Sequence, residues 1–163
     1  MPFLLLSMSA SAQTFVATLN GANEAPGPGD PDGAGFATIT FVGTTVNYSI
    51  VVTNITLPPI GQHIHIGGPG VPGPIVVNLP GTWVGNTLNG STTSDPATIA
   101  AIVANPGGYY VNVHTTDFPG GAVRGQLAPF GSAAGGVPTL SFVGMLALAA
   151  GLALIGIFVA RSV

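Results

Sequence analysis

The chain has no cysteine and no lysine, and charged residues fill only 4% of its 163 positions, against roughly 25% in an average soluble domain. Without cysteine, disulfides and thiolate metal sites are excluded. Arg124 and Arg161 are the only two arginines. No basic cluster can therefore neutralise phosphates, and nucleic acid is excluded as a partner. A formal net charge of −3 is too small to define an acidic binding surface. There is also no Gly-x-Ser-x-Gly turn, phosphate loop or dinucleotide fingerprint. The sequence offers no recognisable reaction centre, and the expectation is that it is not an enzyme.

Apolar residues are abundant at 47%, alongside 25 glycines and 15 prolines. With this much apolar material, the glycines and prolines punctuate short strands rather than mark disorder. Alternating or β-branched runs lie at 15–19, 35–41, 46–52, 75–79, 83–88, 109–115 and 122–127, and a further strand carries His63 and His65. One segment has helical signals instead. Asp95 can cap, Pro96 suits the first turn, Ile99, Ile102 and Val103 share a face, and 105–107 stops the run. The expected fold is all-β, a Greek-key β-sandwich or flattened barrel of about eight strands with one short connecting helix.

The two ends read as processing segments. Residues 1–12 end in Ala10-Ser11-Ala12, an A-x-A cleavage pattern after a short apolar run, and are read as a truncated signal peptide. The folded domain is expected over 13–130, followed by a Gly/Ala linker at 131–137. Residues 140–160 are uncharged and apolar. At about 1.5 Å per residue they are long enough to span a bilayer as a C-terminal transmembrane helix. Segment 138–163 is therefore an anchor or sorting tail. Val137-Pro138-Thr139-Leu140-Ser141, the apolar run and terminal Arg161 resemble the IPTL-type sorting signals of bacteria, relatives of PEP-CTERM tails. The resemblance implies an exosortase-like processing protease and delivery to the cell surface. One arginine stands where several basic residues are usual.

Three stretches occur in the order of a chordin (CHRD) domain. They are Leu19-Asn20-Gly21-Ala22-Asn23-Glu24 with Pro26, then His63-Ile64-His65-Ile66-Gly67, and then Tyr110-Val111-Asn112-Val113-His114-Thr115 with Gly121-Ala122-Val123-Arg124-Gly125-Gln126-Leu127. The resemblance covers nearly all of the expected domain and implies a β-rich extracellular module.

All three histidines lie in these stretches. His63 and His65, two apart on a strand, leave the same face about 6.5–7 Å apart at the backbone. His114 shares a face with Tyr110 and Asn112 on another strand. If the strands meet, three imidazoles make a copper or zinc site. The pattern is also similar to copper–zinc superoxide dismutases, in which a His-x-His pair and a distant valine-flanked histidine bind copper and an arginine guides anions. That likeness would give Arg124 the anion-guiding role, although no bridging histidine or zinc loop is present. The alternative is structural. The histidines would bond carbonyls of the 67–74 loop, and Arg124 would pair with Asp117 or brace a loop. Glu24, Asp30 and Asp32 match no calcium-loop spacing and read as a solvated loop.

Two functions follow. One is an exported cell-surface module with a non-catalytic binding or structural role toward a protein or matrix partner, its edge strands available for contact. The other is a periplasmic or surface copper- or zinc-binding protein with a His63/His65/His114 site and weak dismutase-like redox activity.

Overall fold

A computed structural model describes residues 11–131. Most of the expected signal peptide, the linker and the apolar sorting segment lie outside the described residues. Among the described residues no helix is long and apolar enough to cross a membrane.

The described chain is all-β, a nearly closed antiparallel barrel of eight strands with one helix. The strands are β1 (Gln13–Asn20), β2 (Ala34–Val42), β3 (Thr45–Thr53), β4 (Gly61–Ile66), β5 (Ile75–Asn78), β6 (Thr87–Thr93), β7 (Tyr109–His114) and β8 (Val123–Gln126). Their order around the sheet is β5-β4-β7-β8-β1-β2-β3-β6, and a two-residue β9 (Ala128–Pro129) adds to β1. Of the two expected architectures, the barrel forms.

Alternation drives the closure. Phe15, Ala17 and Leu19 of β1 point inward, as do Ala37, Ile39 and Phe41 of β2 and Val46, Ile50 and Val52 of β3. Each such Val, Leu, Ile or Phe contributes about 1.5–3 kcal/mol when fully buried. Helix α1 (Pro96–Ala104) covers part of this core with Ile99 and Ile102. As its sequence suggests, the Asp95 side chain caps it by accepting from the Ala97 amide at 2.9 Å, and Pro96 sits in the first turn.

Most strands fall where the sequence places them, within one or two residues at each end. The run at 83–88 does not. Gly85 turns with φ +60, Val84 and Thr87 exchange backbone hydrogen bonds across that turn, and β6 starts only at Thr87. The strand then runs through Asn89-Gly90-Ser91, whose first two residues are types depleted in strands. It survives there because β6 is an edge strand paired only with β3. Gly90 leaves space that the Tyr48 ring fills, since a Cβ there would sit 2.5 Å from the phenol oxygen. The Tyr48 hydroxyl donates to the Pro80 carbonyl, and Trp83 Nε1 donates to Gln62 Oε1 at 3.1 Å. The segment between β5 and β6 thus touches β3 on one flank of the gap and β4 on the other.

Candidate metal centre

Strands β4 and β7 pair with Gly61 opposite His114, His63 opposite Asn112, and His65 opposite Tyr110. Because Ile64, Val111 and Val113 enter the core, His63, His65, Tyr110, Asn112 and His114 share the outer face. β8 extends that face, with Arg124 opposite Asn112 and Gln126 opposite Tyr110. An outward sheet face is ordinarily wet. This one is covered by the 67–74 loop, by Glu24 and by the 115–121 loop, so five of the six β7 residues are buried.

The three imidazoles meet. Ring centroids are 5.1 Å apart for His63 and His114, 5.5 Å for His63 and His65, and 6.0 Å for His65 and His114. One ligand nitrogen from each lies within 4.8 Å of the others. Gly61 leaves room beside the cluster, since a Cβ there would press on His63 Cε1 at 3.2 Å and touch His114 Cδ2 at 3.9 Å.

The ring nitrogens divide into two sets. His65 Nδ1 is 2.9 Å from the Gly73 carbonyl and His114 Nδ1 is 3.1 Å from the Pro119 carbonyl. A carbonyl can only accept, so each Nδ1 carries the proton and each Nε2 presents a lone pair. Those two Nε2 atoms, with His63 Nδ1, are buried and have no hydrogen-bond partner. The loop-carbonyl role and the ligand role are thus not alternatives, because one nitrogen of the ring serves each. This is the usual support for a metal-bound histidine.

The electrostatics fit neutral rings. Burial pushes His63 down to about 4, helped by the neighbouring His114 and His65. Burial also lowers His65 and His114, against the opposing pull of their carbonyl partners. Imidazole ligates only when neutral. A tetrahedral ion with bonds of about 2.0–2.1 Å needs nitrogens roughly 3.3 Å apart, so the rings would have to draw in from their present separation of up to 4.8 Å.

Arg124 is 1% exposed. Its Nη2 donates to the Gly68 carbonyl at 2.7 Å and the Val71 carbonyl at 2.9 Å, and its guanidinium lies 3.4 Å over the Tyr110 ring. Asp117, the partner considered from sequence, instead accepts from the Thr56 hydroxyl. Gln126 and Glu24 complete the face and were not expected there. Gln126 donates to the Gly67 carbonyl at 2.9 Å and the Gly107 carbonyl at 2.8 Å. The period of two that links Arg124 to Gln126 was the signal available for it. Glu24 accepts from Asn112 Nδ2 at 3.4 Å. Burial raises its carboxyl to about 7 against the pull of Arg124 and Asn112. The solvated-loop expectation therefore needs correction at two acids, since Glu24 is half-buried and Asp30 is buried. The backbone of that loop packs against β8's approach, with the Asp30 amide on the Ala122 carbonyl at 2.9 Å.

The stretches that build this face are those that carry the chordin resemblance. The CHRD domain model matches residues 15–127. The chain belongs to the CHRD-domain family. No curated protein and no solved structure matches it. Within this CHRD domain, the match spans all three histidines, Glu24, Arg124 and Gln126.

Proposed function

We propose that this CHRD domain is a metal-binding module of an exported protein, holding one copper or zinc ion at His63, His65 and His114. The observation that carries the reading is the split of the ring nitrogens. One buried nitrogen on each ring lacks any partner, the three rings bring a ligand nitrogen each within 4.8 Å of the others, and the opposite nitrogens of His65 and His114 are anchored on carbonyls. A purely structural histidine would spend its buried nitrogens on hydrogen bonds, because each unpaired one costs about 1–3 kcal/mol. The donor set of neutral imidazoles suits copper and zinc rather than calcium or magnesium. The role proposed is binding, not catalysis. Export, and sorting through 138–163, belong to the same proposal.

Calorimetric titration of the full chain in detergent with copper(II) and with zinc(II) tests it. One ion per chain, lost in His114→Ala, is the expected result. Absence of saturable binding of either metal at pH 7.5, in protein stripped with chelator, would overturn it.

A second reading, contact with a protein or matrix partner, has its own support. Ile66, Val71 and Ile75 are all exposed beside the β5 edge, where unpaired backbone groups can accept another strand. The two roles use different surfaces. His63→Ala with His65→Ala would abolish metal binding and leave partner capture unchanged.

A further inference from the structure

The 67–74 loop contains four glycines, three prolines and a valine. It has no polar side chain with which to hold its own shape. One internal backbone bond, the Val71 amide to the Gly68 carbonyl at 3.0 Å, closes a turn within it. The ends of the loop are held by backbone bonds, the Gly67 amide to the Gly108 carbonyl at 2.7 Å and the Ile66 amide to the Pro74 carbonyl at 3.1 Å, and its middle is held by side chains of the sheet below. Arg124 Nη2 ties down Gly68 and Val71, Gln126 ties down Gly67, and the Tyr110 hydroxyl accepts from the Gly73 amide at 3.2 Å. At Gly73 the backbone passes so close to Ile66 that a Cβ would sit 1.7 Å from its carbonyl oxygen. The path of the loop is thereby fixed on both sides.

That path sets one ligand. The Gly73 carbonyl holds His65 Nδ1, while the Tyr110 ring lies flat against the imidazole, 4.9 Å between centroids and 11° between planes. The same Tyr110 ring lies under the Arg124 guanidinium. We infer that Arg124 and Tyr110 are positioning residues for the metal ion, orienting His65 through the loop and through the stacked ring without touching the ion themselves. The inference rests on the metal-binding reading and assigns the residues that set its affinity.

Arg124 has two tasks that a lysine cannot combine. A planar guanidinium can stack on an aromatic ring while its in-plane N–H groups reach two carbonyls. An ammonium offers a point charge and no plane. With the Arg124 tie lost, Gly73 is less restrained and the His65 ring gains freedom that metal binding must then remove.

The test compares full-chain wild type, Arg124→Lys and Tyr110→Phe, each checked for native circular dichroism. Zinc(II) affinity is read by calorimetry, and the number of imidazoles coupled to copper(II) by pulsed electron paramagnetic resonance. Partners of ligating histidines are typically worth about 10- to 100-fold in affinity. Arg124→Lys is expected in that range, with the copper signal changing from three coupled imidazoles toward two. Tyr110→Phe keeps the stack but loses the acceptor for Gly73 N–H, and several-fold weakening is expected. If Arg124→Lys does not fold, Tyr110→Phe decides alone. Wild-type affinity and three coupled imidazoles in the folded variants would overturn the inference while leaving the metal site standing. Failure of wild type to bind would bring down the metal reading itself.

Discussion

At the residue scale, Glu24 and Gly61 show how little space separates the polar face from a conventional surface. Glu24 fits where Gly29 and Gly121 lack side chains, since a Cβ at Gly121 would come within 2.5 Å of its Oε2. Burial raises its carboxyl from 4.5 to about 7. The unfolded chain thus gives up its proton first as pH rises. The stability that neutral Glu24 provides is full below 4.5 and is lost as pH climbs toward 7. Glu24→Gln cannot ionise, so its stability relative to wild type is expected to rise across that window. Urea midpoints of the metal-free proteins at pH 4.5 and 7.5 measure the difference, and a constant gap would contradict the assignment. Gly61→Ala tests the other position. Its methyl would press on the His63 ring, and a several-fold loss of metal affinity with an unchanged fold is expected from calorimetry and circular dichroism.

At the element scale, strands with a regular apolar alternation were legible from sequence, and β1, β2, β3 and β7 lie close to their expected bounds. Helix α1 was legible for a different reason. Its start is written in a capping acid and a proline, and its end in Asn105-Pro106-Gly107. Strand β6 was not, because asparagine and glycine at its centre are poor strand formers and its pairing comes from β3. The propensity of Asn89-Gly90-Ser91 is overridden by tertiary contact. Gly90→Ala should expose this dependence, since the new methyl would collide with the Tyr48 ring. Overpacking of this kind costs about 1–3 kcal/mol. Chemical denaturation should show that loss, and a value near zero would mean that Tyr48 can move aside freely.

For the whole molecule, closure of one sheet decides what the sequence could and could not reveal. That His63 and His65 share a face follows from a period of two. That His114 joins them depends on β4 pairing with β7, across β5, β6 and α1 in the chain, and no local signal encodes such a pairing. The covering of the outer face was legible only in part: a histidine bonded to the 67–74 loop and a loop-bracing Arg124 were expected, whereas the parts played by Gln126 and Glu24 were not. A ligand that binds only the folded barrel stabilises it by mass action, by about 2.7 kcal/mol at a hundred times its dissociation constant. Excess zinc is therefore expected to raise the melting temperature on the order of 10 °C, with no rise in His63→Ala. Calorimetric scans with and without chelator would show it.

The placement of β7 bears on how an ion would leave. This strand is interior to the sheet, has five of its six residues buried, and is flanked by β4, which carries His63 and His65, and by β8, which carries Arg124 and Gln126. Interior strands open only with global unfolding, whereas a glycine- and proline-rich loop opens locally at far smaller cost. His114 thus sits on ground that stays formed, and His65 is held partly by the 67–74 loop, a flap whose opening would break its ties to Arg124, Gln126 and Tyr110. Release of the ion would track that flap, and exchange between metal-loaded and metal-free protein would run far faster than the barrel unfolds.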